Sequence, residues 1–349
     1  MKIAINGYFY TRRMDGMYRL SHEILVELDK IVNKGKYYLI VPEYANKVPE
    51  FTNIEVVKYG SIKNRLWNQF SFGIYAAKHN MITFDTNNTT VLWRPGICCI
   101  LDLLYVDMAD TFNTSKGRLS RRWSAFNYKI ASRKCNLVFT ISEFSKSRIV
   151  DKYKVPEEKV KIIPCGWQHI RRVTPDFKIF EKYPQLKKED YYFTLASMSK
   201  YKNFDWICAE ARVNTNSTFA IAGGAVSSSK YSEELKQMPN VVVLGFISDE
   251  EVVALMKNCK AFIFPSKYEG FGMPPMEAMA HGAKAIVSTA ASLPEVYGNT
   301  VYYIDPNKTD YILDDVMKAS IDSPEMVLEK YSWAKAAEII NREIEKYYK

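Results

Sequence analysis

The stretch from Phe264 to Gly282 constrains the fold of this chain more than any other. It begins as an apolar strand, continues through a glycine-rich loop and enters a helix that opens on Pro274 and Pro275. Proline is tolerated in the first turn of a helix because the N–H that it lacks would be unpaired there anyway. Strand, glycine loop and helix in this order are typical of a parallel α/β sheet, whose ligands lie beyond the carboxyl ends of the strands.

The loop and the first helical turn of this stretch form a candidate anion site. Unpaired N–H groups and the partial positive charge of a helix start attract anions. Gly270 and Gly272 allow a phosphate or a sugar to approach the backbone closely. Glu269 lies just before the loop and Glu277 lies inside the helix. The pattern therefore indicates a ligand in which a polyhydroxylated sugar is joined to a diphosphate.

This stretch resembles the donor-site signature of the retaining glycosyltransferases of family 4, in their bacterial surface-polysaccharide branch. The signature has two glutamates separated by seven residues within E-G-F-G-x-P-x-x-E-A-M-A-x-G, and the chain matches it almost letter for letter. Further similarities lie at 155–160, 162–166 and 292–296, and the resemblance covers nearly the whole chain. A doubly wound sheet alone explains glycine turns before helices, but it does not require both glutamates and both glycines together.

The resemblance implies an α/β fold of the GT-B type, with two Rossmann-like domains that face each other across a cleft. We expect an N-terminal acceptor-binding domain over residues 1–173 and a C-terminal nucleotide-sugar-binding domain over residues 174–330. A C-terminal helix over residues 331–349 is expected to cross back to the first domain. Strands are predicted at 2–7, 37–41, 54–57, 90–93, 97–101 and 136–141 in the first half, and at 192–196, 219–224, 241–245, 261–266 and 285–288 in the second.

The resemblance also implies the roles of the residues nearest the reaction. Glu269 would hold the hydroxyls of the transferred sugar and Glu277 the ribose hydroxyls. Lys202 would bind the donor diphosphate as a compact charge, although a lysine at the surface alone explains the position too. Asp102 corresponds to the aspartate of a His-Asp-Leu motif in relatives, but Leu101 replaces the histidine. The predicted catalytic residues are Glu269, Lys202 and Asp102.

Further donor contacts follow from the positions of the motifs. Ser197 stands where relatives usually have an arginine that grips the diphosphate, and Lys200 is a candidate to replace it. Gly16 lies in a D-G-M-Y-R segment similar to a G-x-x-R-Y loop of the family. The backbone after a predicted strand, at Phe246 and Ile247, would read the nucleotide base. The predicted donor-binding residues are Glu277, Gly270, Phe271, Gly272, Met273, Gly16, Phe246, Ile247 and Ser197.

The charge of the chain is unevenly distributed. Residues 1–173 contain 28 Lys and Arg against 15 Asp and Glu, a net charge of +13. Residues 174–349 contain 20 against 24, a net charge of −4. The asymmetry indicates that the first half meets an anionic partner, for which nucleic acid, an anionic bilayer and a phosphate-bearing acceptor are candidates.

The segment 116–134 carries much of this positive charge. Its apolar residues Leu119, Trp123, Phe126 and Ile130 form a helical stripe with basic residues along one flank. One interpretation is a helix packed on the sheet with a solvated basic edge. The other is a basic edge that contacts anionic lipid headgroups or a lipid-diphosphate acceptor, where each exposed basic residue contributes about 1 kcal/mol. The predicted acceptor-facing or membrane-facing residues are Arg19, Arg118, Arg121, Arg122 and Lys129.

Composition and spacing exclude several protein classes. No run approaches the roughly eighteen apolar residues of a membrane helix, and the N-terminus lacks the pattern of a signal peptide. The six cysteines show no C-x-x-C spacing and are predicted to be reduced core residues. No D-x-D run suggests a bridging metal, so we expect neither metal nor cofactor beyond the nucleotide-sugar co-substrate. We expect a cytoplasmic protein, peripheral at the inner face of the cell membrane.

The predicted function is that of a metal-independent, retaining hexosyltransferase in polysaccharide biosynthesis, for lipopolysaccharide or capsule. It would move a hexose or deoxyhexose from a nucleotide-diphosphate sugar to a glycan acceptor that is lipid-linked or an oligosaccharide. Lys202 and helix N–H groups at 272–275 would stabilise the departing diphosphate.

Other function classes remain to be compared with this one. A catalytically degenerate partner subunit of another glycosyltransferase is the alternative, suggested by Leu101 and Ser197. A phosphorylase usually needs a longer chain with a lysine-bound pyridoxal site, and an epimerase of this fold lacks the E-G-F-G signature. No nucleic acid partner is expected, because the basic segment matches no recognisable nucleic-acid module.

Overall fold

The computed structural model describes residues 1–12, 14–45, 47–195, 199–223, 235 and 237–348. They divide into two units, the first built from Met1–Gly166 with Ser332–Lys349 and the second from Trp167–Tyr331. Each unit contains one parallel sheet.

The first unit is organised around a seven-stranded sheet with the strand order β3-β2-β1-β4-β5-β6-β7. The strands are β1 Ile3–Asn6, β2 Tyr37–Val41, β3 Glu55–Lys58, β4 Ile82–Asp85, β5 Ile97–Cys99, β6 Leu137–Thr140 and β7 Val160–Ile162. Ile3 pairs with Tyr37 on one side and with Ile82 on the other, so β1 lies inside the sheet. Every residue of β1 is buried, as expected for a parallel strand covered on both faces by helices.

The helices of the first unit connect these strands. They are α1 Gly16–Ile31, α2 Arg65–Trp67, α3 Gly73–Lys78, α4 Leu104–Asp107, α5 Ser115–Lys134 and α6 Glu143–Tyr153. Asp15 caps α1, because its carboxylate accepts the N–H of Tyr18 at 2.8 Å. A π-helical stretch, Asn68–Phe72, joins α2 to α3, so residues 65–78 are helical but irregular.

The strand predicted over residues 90–93 is wrong, and strand β4 was not predicted. Residues 90–93 have side chains with high strand propensity, but tertiary contacts hold them in a turn. Gln69 Oε1 accepts the N–H of Leu92 at 2.9 Å, and the Gln69 carbonyl accepts the indole N–H of Trp93 at 2.8 Å. Strand β4 occupies the place beside β1 instead.

Helix α5 buries a face different from the one its apolar stripe predicts. Leu119 is 70% exposed and Phe126 is 49% exposed. The buried residues are Asn127, Tyr128, Ala131 and Ser132. Burial of polar residues is possible here because Ser132 Oγ donates to the Tyr128 carbonyl at 2.6 Å and Asn127 Nδ2 to the Trp123 carbonyl at 3.0 Å. The interpretation that the stripe packs on the sheet is therefore wrong for its most exposed members.

The second unit is organised around a six-stranded sheet with the order β10-β9-β8-β11-β12-β13. The strands are β8 Tyr191–Leu195, β9 Thr218–Ala222, β10 Val241–Gly245, β11 Ala261–Phe264, β12 Ala285–Ser288 and β13 Tyr302–Ile304. Among the described residues, the helices are α7 Ile179–Lys182, α8 Phe204–Val213, α9 Asp249–Asn258, α10 Met273–Met279, α11 Leu293–Tyr297, α12 Leu313–Val316 and α13 Glu325–Lys330. Strands β10 and β12 have the predicted bounds.

The last helix, α14 Trp333–Tyr347, belongs to the first unit, which confirms the predicted return. Its buried face includes Ile340 and Ile344. Asn341 Oδ1 accepts the hydroxyl of Tyr37 at 2.9 Å, and Glu345 forms an ion pair with Lys36 at 2.7 Å.

The second unit begins before the division predicted at 173/174. Trp167 donates its indole N–H to the Leu328 carbonyl at 2.9 Å, and Ile170 and Ile179 are buried. Residues from Trp167 onward therefore pack within the second unit.

The six cysteines are buried free thiols, as predicted. Burial raises the pKa of the Cys98, Cys99 and Cys259 thiols, which keeps them protonated. In the part of the chain that the structure describes, no helix combines the length and the apolar character needed to cross a bilayer.

Candidate functional site

The glycine-rich loop after β11 has a backbone that only glycine fits at position 272. Gly272 has φ +83°, and a Cβ there would lie 2.5 Å from Leu293 Cδ2 and 3.3 Å from Phe264 Cε1. Helix α10 starts directly after it. The loop is therefore packed closely against two buried apolar side chains at the carboxyl end of β11.

Tyr297, on α11, fixes the start of helix α10. Its hydroxyl donates to the Gly272 carbonyl and accepts the N–H of Met276 at 3.1 Å. Complete burial raises the pKa of Tyr297 well above its usual value, so the hydroxyl keeps the proton that it donates. Sequence reasoning did not identify this residue.

Of the four residues predicted at 272–275 to bind an anion through backbone N–H groups, only two have such a group. Pro274 and Pro275 carry no N–H, and the N–H of the following Met276 is bonded to Tyr297. Gly272 and Met273 are thus the residues of this range with a backbone N–H. A helix of seven residues adds little dipole to them.

Glu269 and Lys202, two of the predicted catalytic residues, are in direct contact. Lys202 Nζ lies 2.6 Å from Glu269 Oε1, and both side chains are largely buried. Ser292 Oγ donates to the Glu269 carbonyl at 3.0 Å, and Lys202 Nζ lies 5.2 Å from the centre of the Phe264 ring. The pair is a charge-assisted hydrogen bond, which is short and strong compared with a neutral one.

Glu277, on α10, has a partner that sequence reasoning missed. His169 Nε2 lies 3.0 Å from Glu277 Oε1, and both residues are buried. Since an ionised carboxylate only accepts hydrogen bonds, the hydrogen lies on Nε2. The residues are 108 positions apart, so no local pattern signals the contact.

A small recess of about 10 Å³ lies beside Lys202, at the carboxyl ends of β8 and β11. Ser266 lines it, and its buried Oγ has no hydrogen-bond partner among the described residues. A buried hydroxyl left unpaired costs about 1–3 kcal/mol, which makes Ser266 a further candidate to contact a ligand. Ser197, predicted on the same edge, lies outside the described residues.

The other predicted donor contacts differ in exposure. Phe246, directly after β10, is 85% exposed, and Ile247 is half-buried. Gly270 and Phe271 are buried, and the Phe271 ring packs edge-on against Tyr331 with centroids 5.1 Å apart. Because the Phe271 ring packs into the core, only the backbone of this residue is placed to contact a donor.

Three predicted residues near α1 and α4 belong to the first unit. Gly16 is the first residue of α1, and Arg19 on the same helix has Nη2 3.4 Å from Met14 Sδ. Asp102 Oδ1 accepts the N–H of Leu104 at 2.9 Å and so supports the start of α4. The structure thus gives Asp102 a local structural contact, and its catalytic role stays a prediction.

The predicted basic residues of α5 lie mostly at the surface. Arg118, Arg122 and Lys129 are exposed, whereas Arg121 is half-buried with Nη1 3.4 Å from the Ala109 carbonyl. They share the helix with the exposed Leu119. Within the described ranges, no group of three or more His, Cys, Asp or Glu side chains is arranged to hold a metal ion.

Comparisons with known proteins point to one family. Residues 176–337 match the family model described as glycosyl transferases group 1. The chain is 28% identical over 198 residues to the O-antigen chain mannosyltransferase B of Escherichia coli, covering 53% of this chain and 52% of that protein. It is 27% identical over 227 residues to the O-antigen chain mannosyltransferase RfbU of Salmonella typhimurium, covering 64% and 60%. The chain thus spans between half and two thirds of the length of these relatives.

The fold of the chain also matches that of a solved structure along nearly its whole length. HepE of Anabaena in complex with UDP-glucose superposes with a TM-score of 0.70 at 16% identity, covering 99% of this chain and 100% of that one. At this identity the likeness concerns the fold alone. Together with the two parallel α/β sheets, it confirms the predicted two-domain GT-B fold.

Proposed function

Because residues 176–337 of this chain match the family model of the group 1 glycosyl transferases, we propose that the protein is a retaining hexosyltransferase of surface-polysaccharide biosynthesis. It transfers a hexose or deoxyhexose from a nucleotide-diphosphate sugar to a glycan acceptor, without metal or further cofactor. Two curated relatives carry the name O-antigen chain mannosyltransferase, which supports polysaccharide assembly and favours mannose among the donors to test.

The observation that carries the proposal is the contact between Lys202 and Glu269. The two residues are 67 positions apart in the chain, yet their charged atoms lie 2.6 Å apart beside the glycine loop. A carboxylate accepts hydrogen bonds from sugar hydroxyls, and an ammonium is a compact charge for a diphosphate. A sugar joined to a diphosphate needs both groups side by side.

The proposed reaction exchanges one bond for another on the same face of the sugar. The bond between the anomeric carbon and the diphosphate oxygen breaks, and a bond to the acceptor hydroxyl oxygen forms. The acceptor's proton passes to the departing phosphate oxygen. Lys202 and the N–H groups of Gly272 and Met273 stabilise the charge that develops on the diphosphate, and their fixed positions make this stabilisation effective.

Glu277 completes the donor site by holding the ribose hydroxyls of the nucleotide. The hydrogen bond from His169 holds one carboxylate oxygen in place. In this proposal His169 is a positioning residue, because it acts on the donor through Glu277. Phe246, exposed at the end of β10, offers an aromatic face to the base.

The acceptor is proposed to be lipid-linked and presented at an anionic bilayer. Support comes from α5, where the exposed Leu119 and Phe126 accompany the exposed Arg118, Arg122 and Lys129. Basic side chains attract an anionic surface at about 1 kcal/mol each, and apolar ones gain about 1.5–3 kcal/mol when fully buried. Such a helix would bring the enzyme to the cytoplasmic face of the membrane as a peripheral protein.

The test is a panel of nucleotide sugars read by thermal shift and by nucleotide release, on wild type and Glu269→Gln. GDP-mannose, UDP-glucose, UDP-galactose and dTDP-rhamnose are the donors. At a hundredfold excess over Kd, binding adds about 2.7 kcal/mol to the free energy of unfolding, so one donor should shift the melting temperature visibly.

We expect Glu269→Gln to abolish turnover while the free nucleotide still shifts the melt, because the nucleotide does not need the sugar-binding carboxylate. If none of the donors or their nucleotides binds the wild type, the proposal is wrong. A non-catalytic partner subunit of another glycosyltransferase, consistent with Leu101 at the usual histidine position, then becomes the better account.

A further inference from the structure

A cavity of about 640 Å³ opens in the first unit at the amino ends of two neighbouring strands, and we call it the amino-edge cavity. It is lined by Leu137, the first residue of β6, and by Lys159, which directly precedes β7. Parallel α/β sheets bind their substrates beyond the opposite, carboxyl ends of the strands. The cavity volume is in the range of small-molecule sites, roughly 300–1,000 Å³. None of the site residues predicted from the sequence lines it, and its lining lies outside the matched residues 176–337.

The lining of the amino-edge cavity is predominantly basic. Among the described residues that line it, two are glutamates and five are basic, a net charge of +3: Glu158, Glu343, Arg133, Lys134, Lys159, Lys161 and Lys346. Glu343 Oε2 lies 3.7 Å from Lys161 Nζ, and its Oε1 lies 3.2 Å from Arg342 Nη2, so the protein itself compensates this carboxylate. The other four basic residues form no ion pair within the described part of the chain.

Lys159 shows most directly that a counter-ion is lacking. It is half-buried, and its Nζ donates to the neutral Arg133 carbonyl at 2.8 Å. Partial burial lowers the pKa of Lys159 below its usual value. An ammonium has three N–H donors, so two remain for a ligand. A charge withdrawn from water without a partner costs free energy, and an anion in the cavity would offset that cost.

The helix ends alone do not explain this basic cluster. Helix α5 ends at Lys134, and Lys346 lies in the last turn of α14. The negative end of a helix dipole stabilises a basic residue at such positions. Lys159 and Lys161, however, come from the β7 segment and belong to neither helix. The helix dipoles also do not require that basic residues from three separate segments line one cavity.

An aromatic ring lies beside the basic residues. Tyr347 lines the cavity and is 54% exposed. Its ring packs edge-on against the Tyr348 ring with centroids 4.8 Å apart. Asn136 Nδ2 donates to the Tyr348 hydroxyl at 2.9 Å, which ties the pair of rings to the start of β6. An exposed aromatic ring that is held in place suits stacking on a nucleobase.

We infer that the amino-edge cavity binds a nucleoside triphosphate, with its phosphates on Lys134, Lys159 and Lys346 and its base on Tyr347. The several negative charges of a triphosphate complement the net charge of +3 in the lining. The inference goes beyond the proposed function, because this site shares no residue with the proposed donor site and needs no sugar. A ligand bound there would contact α5, the β7 segment and α14 together, and would stabilise the first unit by mass action.

The experiment measures binding to the whole protein by calorimetry, with ATP, GTP and inorganic tripolyphosphate as probes. Lys134→Glu with Lys346→Glu reverses two exposed charges of the lining, and Tyr347→Ala removes the aromatic ring. The matched control is Lys78→Glu with Lys152→Glu, at two exposed lysines that do not line the cavity. Lys202→Ala removes the lysine of the proposed donor site.

We expect ATP or GTP to bind the wild type, the control and Lys202→Ala with similar affinity, and tripolyphosphate to bind about tenfold more weakly. The double reversal at Lys134 and Lys346 should weaken binding at least about a hundredfold, since each charge-assisted hydrogen bond contributes about a factor of ten. Tyr347→Ala should weaken the nucleotide about tenfold and leave tripolyphosphate unchanged. Melting temperatures without ligand show whether the variants are folded. If the double reversal does not fold, Lys346→Gln replaces it, with an expected loss of about tenfold.

Four results would overturn the inference. The first is that neither nucleoside triphosphate binds. The second is that tripolyphosphate binds as tightly as ATP and GTP, which would mean that the basic surface attracts phosphate without reading a base. The third is that the control at Lys78 and Lys152 loses as much affinity as the reversal at Lys134 and Lys346. The fourth is that Lys202→Ala abolishes binding, which would place the nucleotide in the proposed donor site.

Discussion

Gly272→Ala provides a sharp test of how the glycine loop supports the proposed donor site. An L-residue in the left-handed region costs about 1–2 kcal/mol, and the φ of +83° at Gly272 imposes that cost. The added Cβ would also lie 2.5 Å from Leu293 Cδ2. Leu293 is fully buried and cannot simply turn away, so overpacking adds about 1–3 kcal/mol. The expected loss in the free energy of unfolding is about 2–5 kcal/mol.

The same substitution should also lower turnover. Relief of the clash must displace the loop that carries Glu269 and the N–H groups of Gly272 and Met273, and displacements near 1 Å reduce rates by about a hundredfold. Gly282→Ala is the matched control in the same unit, because Gly282 has φ +87° but no heavy atom within 4 Å of the place that a Cβ would occupy. It should lose only about 1–2 kcal/mol and keep its turnover.

Urea unfolding measures the stability of both variants, and nucleotide release with saturating donor measures turnover. Equal stability losses for Gly272→Ala and Gly282→Ala, with full turnover in both, would refute the reasoning. That result would mean that the loop tolerates a side chain and that its close packing does not position the donor groups.

Three further predictions concern other parts of the molecule. Burial raises the pKa of Asp85 to about 7 from an ordinary value of 3.8. The folded state therefore binds this proton more tightly than the unfolded chain does. As a result, protonation of Asp85 adds to the free energy of unfolding at low pH, and this contribution is lost as the pH rises toward 7. Asp85→Asn is neutral at every pH, so its free energy of unfolding should gain about 3 kcal/mol relative to that of wild type between pH 5 and pH 8 in urea titrations. If the difference between variant and wild type does not change with pH, the raised pKa of Asp85 is contradicted. His169→Ala should weaken nucleotide binding, measured by calorimetry, about ten- to hundredfold, and it should keep the wild-type kcat at saturating donor. If His169 acts by donating a hydrogen bond to Glu277, His169→Gln should restore part of the affinity. Leu119→Ser with Phe126→Ser should reduce sedimentation with phosphatidylglycerol vesicles several-fold and leave donor binding intact, and unchanged sedimentation would remove α5 from the membrane contact.

Features decided by short stretches of sequence were predictable. The strand, glycine loop and proline-started helix at 264–282 are local signals, and the structure places β11, Gly272 and α10 there. The terminal helix α14 lies within the range predicted for it, and its buried Ile340 and Ile344 repeat with the period of a helix. The alternation of such elements indicated an α/β fold, and the resemblance of the signature implied its GT-B type.

Features decided by contacts between distant residues were not predictable in the same way. Helix α5 buries Tyr128 and Ala131 rather than its apolar stripe, because the neighbouring strands determine which face is covered. Residues 90–93 form a turn because Gln69 binds their polar groups. In both cases side-chain propensity is the weaker influence, and the tertiary contact overrides it.

The same distinction holds for the sites. Sequence alone indicated which groups the proposed donor site contains, since the two glutamates and the glycines lie within one short loop and helix. Only the tertiary structure decided that Lys202 contacts Glu269, that His169 contacts Glu277 and that Asn6 at the end of β1 contacts Asp85 at the end of β4. Those partners are 67, 108 and 79 residues apart, and a single sequence carries no local pattern that records which of its distant polar groups will pair when the sheets form.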